Sequence, residues 1–194
     1  MMALLPSHSD ILAKTARFRH VTRQRPPQSE IIAPNPGQES VWSYPRPPVV
    51  RSVSKSLRVE WAGTIVADTR GGLAVVETAG APVYFFPPED VRQDLLTETD
   101  FVTLCEWKGA AVHFDLHFEQ RRVEHAAFSY PDPLTDLGQG YEHLAGWYAF
   151  YPAHVDGCFL GGERATPQPG GYYAGWVTSN ITGPFKGTPG TESW

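Results

Sequence analysis

The chain has 194 residues, of which 12% are aromatic and 19% charged, with eighteen glycines, eighteen prolines and two cysteines. Its net charge of −5 is uneven: residues 1–52 carry seven basic and three acidic side chains, and the remainder nine basic and eighteen acidic ones. An acidic folded part repels nucleic acid, two cysteines are too few for a disulfide framework, and no apolar run approaches the roughly 18 residues of a spanning helix. We therefore expect a soluble, cytoplasmic protein that binds neither nucleic acid nor membrane.

The N-terminal 40 residues show no sustained hydrophobic period and include the turn-rich stretches "RQRPPQ" and "APNPGQ". They are predicted to be a flexible basic arm, either a solvated tail or a contact for an anionic partner. Residues 41–163 are predicted to form one domain. Residues 164–194 interleave glycine and proline with aromatic residues, so we expect this tail to pack on the domain.

From Leu57 onward the pattern is typical of β-strands. "LRVEW" and "TIVAD" flank Ala62 and Gly63, which form a two-residue hairpin turn. A second hairpin is predicted for "LAVVET" and "VYFFP", and three further strands for "VTLCEW", "VHFDLHF" and "VEHAAFSY". The sequence therefore predicts a mainly β fold built as an antiparallel meander.

One short helix is predicted near the end of the domain. Asp136 can cap it, Pro152 can end it, and apolar residues recur with helical spacing between them. These residues are Tyr141, Leu144, Ala145 and Tyr148. Gly138, Gly140 and Gly146 each weaken that helix by roughly 1 kcal/mol, so it needs tertiary packing.

The stretch "TLCEWKG" carries the most reactive side chains of the predicted sheet. Alternation along a strand points Cys105 and Trp107 to one face and Glu106 and Lys108 to the other, although the strand can bend before Gly109. Two interpretations stay open for Cys105: a buried thiol that packs as a small apolar group, or a nucleophile activated by a neighbouring cation.

The strand residues His113, Asp115 and His117 resemble a metal-binding pattern. On a regular strand the two histidines lie about 13 Å apart, too far to bind one ion, so a solvated face is the favoured interpretation. Gly-rich phosphate loops, nucleophile elbows and the HExxH zinc signature are absent from the sequence. We expect neither a metal nor a cofactor.

Six ordered motifs resemble those of domain-of-unknown-function family 427. They are "VWSYPRPP", "IVADT", "PVYFFPPEDV", the Cys105–Gly109 stretch, "AAFSYPDP" and "GWYAFYP", which together span about Glu39–Glu163. The tail "GGYYAGWVTSNITGPFKGTPGT" is similar to an extension in one branch of that family. The family's motif positions map to Trp42, Tyr44, Glu77, Pro82, Tyr84, Asp90, Val91, Cys105, Trp107, Lys108 and Gly109, while Glu106 replaces the usual proline.

The resemblance implies a β-tent (Mss4-like) fold, in which antiparallel sheets meet at an angle over a pocket. Relatives in that group include B-type methionine sulfoxide reductases, the ligand domain of cereblon and the Mss4 accessory protein. Many of them hold zinc with four cysteines, and this chain has only Cys105 and Cys158. A zinc site is therefore not carried over.

Three functions remain open. The first is a binding module for a small planar ligand, because the aromatic residues outnumber the needs of the core and Tyr and Trp line many ligand sites. Its predicted site comprises Tyr84, Cys105, Trp107, Lys108 and Trp147. The second is a redox or acyl-transfer enzyme that uses Cys105 with Lys108 or His113. The third is a protein-interaction module that acts through sheet edges or the arm.

Overall fold

The computed structural model describes residues 5–194. The predicted mainly β fold is confirmed, with several antiparallel sheets and one α-helix in the described residues. Within that range no helix is long and apolar enough to cross a membrane. The strands, in chain order, are β1 (Glu39–Ser40), β2 (Val49–Ser52), β3 (Leu57–Trp61), β4 (Thr64–Thr69), β5 (Leu73–Val76), β6 (Val83–Phe86), β7 (Leu96–Cys105), β8 (Gly109–Phe118), β9 (Arg121–Ser129), β10 (Tyr148–Phe150), β11 (Gly157–Leu160), β12 (Glu163–Arg164), β13 (Thr166–Pro167), β14 (Trp176–Val177) and β15 (Ile181–Thr182).

Two larger sheets organise the domain. One has seven strands in the order β2-β5-β6-β10-β9-β8-β7, and the other has four in the order β12-β11-β3-β4. The hairpins predicted from local sequence are present, and Ala62 and Gly63 both have positive φ in the β3–β4 turn. The predicted continuous antiparallel meander is wrong. Strand β10 lies between β6 and β9, and β3 and β4 belong to the smaller sheet. The prediction failed because pairing between distant strands has no local sequence signal.

The first α-helix lies in the predicted arm. Helix α1 (His8–Arg19) begins after Ser7, whose Oγ accepts a hydrogen bond from the Asp10 amide at 3.2 Å. Its buried Ile11 packs against residues of the β-domain, in a cluster with Ala110. The sequence gives little sign of this helix because it buries a narrow face, on which Ile11 and Thr15 are the buried residues. The first four residues of the predicted arm lie outside the described residues.

The helix predicted from Asp136 is present only as a 3-10 turn at Tyr141–Leu144, and β10 follows almost at once. Gly140 and Gly146 have φ of 82° and 74°, which a right-handed helix does not allow. These glycines therefore bend the chain at the two ends of the turn.

The two faces of the seven-stranded sheet pack against different parts of the chain. On one face Tyr84 and Phe86 of β6 join Leu57 and Val59 of β3 in a core cluster between the two sheets. The alternate residue Phe85 faces the other way, into a second cluster that includes Phe128. This second face is covered by the 3-10 turn and by the C-terminal tail, whose Ala174 joins the second cluster. The arm reaches the same cluster through Arg19, which lies over the ring of Trp107.

Candidate functional site

A cavity of about 470 Å³ lies on the second face of the seven-stranded sheet. Its floor includes Val75 of β5, Phe85 of β6, Phe128 of β9 and Tyr130, which directly follows β9. The resemblance predicts a pocket where the two sheets meet, and this cavity lies on the opposite side of the larger sheet. The space between the sheets is instead filled by large side chains such as Trp176, which is fully buried.

The roof and rim of the cavity come from both ends of the chain. Phe18 and Arg23 of the arm line it, as do Tyr172 and Tyr173 of the tail. The arm and the tail thus turn a concave sheet face into a partly enclosed space. Neither could be assigned to this face from the sequence, because both reach it through contacts between distant segments.

Cys105 and Lys108 both line the cavity. Strand β7 ends at Cys105, which pairs with Gly109 at the start of β8, so Lys108 belongs to the hairpin turn and strand alternation does not govern its direction. Gly109 has φ of 107°, and this conformation supports the tight connection. The hairpin turn therefore brings together two side chains that a regular strand would separate.

The Lys108 ammonium is held in its charged form. Burial acts to lower its pKa, but the interactions with Cys105 and Glu77 outweigh burial, and the pKa of Lys108 is raised. Its Nζ also lies 5.9 Å from the centre of the Tyr130 ring. Burial raises the pKa of Tyr130 well above its usual value, so its hydroxyl stays neutral. Lys108 is thus a protonated donor beside an aromatic wall.

Glu77 is the centre of the charged end of the cavity. Its carboxylate forms ion pairs with Arg46 and with Lys186, whose Nζ lies 3.6 Å from Oε2. Burial acts to raise the pKa of Glu77, but the surrounding cations outweigh burial and lower it. Burial and the neighbouring cations also lower the pKa of Lys186, despite the attraction of Glu77. Positive charge is therefore in excess at this end.

Trp107 lies outside the cavity lining and supports it. It is 5% exposed, and the guanidinium groups of Arg46 and Arg19 lie 5.2 Å and 5.5 Å from the centre of its ring. Arg46 also donates a hydrogen bond to the Glu106 carboxylate at 2.9 Å, and Arg19 donates one to the Glu106 backbone carbonyl at 2.6 Å. Trp107 thereby connects the arm to the β7–β8 turn.

Of the predicted site residues, the structure brings Cys105 and Lys108 together at the cavity. Tyr84 lies on the opposite face of β6, where its ring packs 5.0 Å from that of Trp176. Trp147 is half-buried against the second core cluster and does not line the cavity. A high aromatic content does not reveal which face of a sheet lines a cavity, and this depends on how distant segments pack.

Several cavity residues were not among the predicted ones. Arg46 lies in the "YPRPP" motif and Lys186 in the tail motif "GPFKG", and Glu77 is itself a family motif position. Gln168 is 3% exposed and bridges two segments, accepting from the Ala81 amide and donating to the Lys186 carbonyl. The family motifs were the one available signal, because no local pattern relates these distant residues.

His113 and Asp115 are buried rather than solvated, and they do not form a metal site. His113 Nε2 lies 2.9 Å from Thr103 Oγ1, and Asp115 pairs with Arg122 at 2.6 Å. Burial and the nearby His125 lower the pKa of His113 to about 4, so its ring is neutral. A neutral ring cannot supply the positive charge beside Cys105 that Lys108 supplies. No group of three potential metal-ligating side chains occurs in residues 5–194.

The comparisons with known proteins give the family. The family model of the domain of unknown function DUF427 matches residues 49–161, more than half of the chain. The chain belongs to that family. The matched DUF427 region contains β2 through β11 and hence the sheet floor of the cavity, whereas the arm, Arg46 and the tail lie outside it. No curated protein matches the sequence.

Proposed function

We propose that this DUF427 protein binds a small planar ligand that carries an anionic or strongly hydrogen-bond-accepting group. The observation that carries the proposal is a cavity with an aromatic floor and a protonated Lys108 at its wall. Its volume of about 470 Å³ falls within the roughly 300–1,000 Å³ of small-molecule sites. In this proposal the ring lies against Phe85, Phe128 and Tyr130, and Lys108 binds the polar group.

The excess of positive charge supports an anionic ligand. Arg23, Arg46, Lys108 and Lys186 line the cavity, against the two carboxylates Glu77 and Glu106. An anion entering this end gains attraction from ammonium and guanidinium groups that are already partly desolvated. Cys105 lies beside the polar group. Trp107 and Trp147 pack in the second core cluster and Tyr84 lies on the opposite face of β6, so in this proposal none of the three contacts the ligand.

The test is a thermal-shift screen against aromatic carboxylates, cyclic imides and nucleobases. We expect at least one class to stabilise the wild-type protein, and Lys108→Met to abolish that stabilisation. Lys55→Met is the matched control, because Lys55 is exposed and lies outside the cavity. A screen with no stabilising compound, or a stabilisation that Lys108→Met leaves intact, refutes the proposal.

A second candidate function is thiol chemistry at Cys105. It is favoured by the interaction between the Lys108 ammonium and Cys105 inside a cavity that a substrate can enter. The test is the rate of Cys105 alkylation by iodoacetamide against pH, with Lys108→Met for comparison. A native protein that alkylates like a free thiol of pKa about 8.5, or not at all, rules this function out.

The cellular setting belongs to the same proposal. Both cysteines are free thiols, which fits a reducing compartment and supports the cytoplasmic placement. A relationship to the Mss4-like β-tent group likewise stays a prediction from the sequence motifs.

A further inference from the structure

A second, smaller cavity adjoins the first. It has a volume of about 210 Å³ and is lined by residues that include Trp42, Trp194 and Arg25. Arg23 and Arg46 line both cavities, so the two spaces share part of their wall. The two cavities are therefore neighbours that meet at Arg23 and Arg46.

The smaller cavity has cationic and aromatic walls. Three arginines line it, and among the described residues no Asp or Glu side chain does. The rings of Trp42 and Trp194 meet edge to face, with centroids 5.3 Å apart, and the Arg25 guanidinium lies 5.5 Å from the centre of the Trp42 ring. Arg25 itself is exposed, so an anion can reach its guanidinium, and the Trp42 ring restricts the side chain on one side.

Arg23 and Arg25 retain unused hydrogen-bonding capacity. Within residues 5–194 neither forms an ion pair, although Arg23 interacts with Glu77 at longer range. Their side-chain hydrogen bonds go to two backbone carbonyls, each at 3.4 Å. The Arg23 Nε is buried and has no hydrogen-bond partner. Arg46, by contrast, already binds Glu77 and Glu106.

We infer that the smaller cavity is an oxyanion subsite for the ligand of the larger one, so that the ligand is a planar ring acid with a second acidic group. This inference rests on the proposed function. A guanidinium presents several N–H donors in a planar fork that matches the oxygens of a carboxylate or a phosphate. Both chemistries fit the two arginines, and the test distinguishes them.

The arrangement also explains the uneven charge of the sequence. Arg23, Arg25 and Arg46 belong to the basic N-terminal part of the chain, and all three face a cavity. Their positive charge is gathered at the two cavities instead of being spread along a solvated tail. Neither Arg23 nor Arg25 forms an ion pair with Glu77, whose carboxylate holds Arg46 and Lys186.

The experiment compares three probes: benzoate, 4-(carboxymethyl)benzoate and 4-carboxyphenyl phosphate. By calorimetric titration we expect one of the two extended probes to bind at least tenfold more tightly than benzoate. The gain identifies the carboxylate or the phosphate as the preferred group. It is expected to be lost in Arg25→Gln and Arg23→Gln and kept in Arg92→Gln, a surface arginine outside both cavities.

A separate experiment adds inorganic phosphate and follows the indole N–H signals of Trp42 and Trp194 by NMR. We expect both signals to shift in the wild type and to stay fixed in Arg25→Gln. If benzoate binds but neither second acid improves affinity, or the gain survives in Arg25→Gln, the inference is wrong and the proposed function stands. If no ring compound binds, the proposed function fails, and the phosphate experiment alone tests the subsite. In that case, the absence of an Arg25-dependent shift refutes the subsite as well.

Discussion

The Lys186 ammonium lies 3.6 Å from the Glu77 carboxylate, joining the C-terminal tail to the turn between β5 and β6. Lys186 is 8% exposed, and its carbonyl accepts a hydrogen bond from the buried Gln168. The pair thus holds the tail over the cavity and sets the charge of its polar end. Stability and ligand binding are therefore expected to depend on the same contact.

Replacing Glu77 by glutamine tests this dependence. Glu77→Gln leaves Arg46, Lys108 and Lys186 without their shared counter-charge, and we expect a loss of about 3 kcal/mol in the free energy of unfolding at pH 7. Because the folded state lowers the pKa of Glu77, its contribution is present above pH 4.5 and is lost as the pH falls below that value.

Urea unfolding of both proteins between pH 3 and pH 7 measures the difference. Glu142→Gln serves as the control, because that side chain is 52% exposed and is not part of the cavity lining. A Glu77→Gln protein as stable as the control at pH 7 contradicts the central role of this carboxylate.

His113 predicts a second pH effect at higher pH. The unfolded chain binds a proton near pH 6.5, whereas the folded His113 does so near pH 4, so stability falls as the pH drops through this interval. The difference between these two pKa values corresponds to a loss of about 3 kcal/mol in the free energy of unfolding. The side chain is 2% exposed, so solvent screens this effect little. We expect His113→Gln, which can keep a hydrogen bond to Thr103, to remove this loss. His143→Gln, at an exposed site, is the control, and a His113→Gln protein with the same pH dependence as this control would contradict the prediction.

Gly187 is predicted to be essential for placing Lys186. A Cβ on Gly187 would lie 1.9 Å from the Pro169 carbonyl oxygen, so Gly187→Ala must displace the backbone next to Lys186. Gly190 also has a positive φ, but a Cβ there meets no atom within 4 Å. Gly190→Ala therefore reports the conformational cost alone. We expect Gly187→Ala to have the lower melting temperature and to lose ligand-induced stabilisation. Equal behaviour of the two variants would show that the tail tolerates the shift.

Two buried tryptophans are expected to respond differently to replacement by phenylalanine. The Trp107 Nε1 is buried without a hydrogen-bond partner, whereas the Trp176 Nε1 donates to the Phe150 carbonyl at 3.5 Å. Trp107→Phe removes an unsatisfied donor, so Trp176→Phe should be the more destabilising by about 1 kcal/mol in urea unfolding. A greater loss for Trp107→Phe would mean that the Arg19 and Arg46 contacts with its ring dominate.

Local sequence was sufficient for much of the sheet and insufficient for its order. The turn at Ala62 and Gly63 and the alternation along β8 identify strands and hairpins, because both act between near neighbours in the chain. The position of β10 between β6 and β9 depends on pairing Tyr148 with Phe86 and Ser129, which no short window contains. Helix α1 was missed for a related reason, since its narrow buried face forms only against the finished domain.

The candidate site shows the same division. By itself the sequence determined the mainly β class and the family motifs, and it placed Cys105 and Lys108 in one short stretch, but the hairpin turn of the structure turned both toward the cavity. Only the tertiary structure decided that Tyr84 faces the inter-sheet core while Phe85 faces the cavity, and that Glu77, Arg46 and Lys186 converge. The reason is physical: strand alternation fixes which side chains share a face, but the packing of distant segments decides which face is filled and which encloses a cavity.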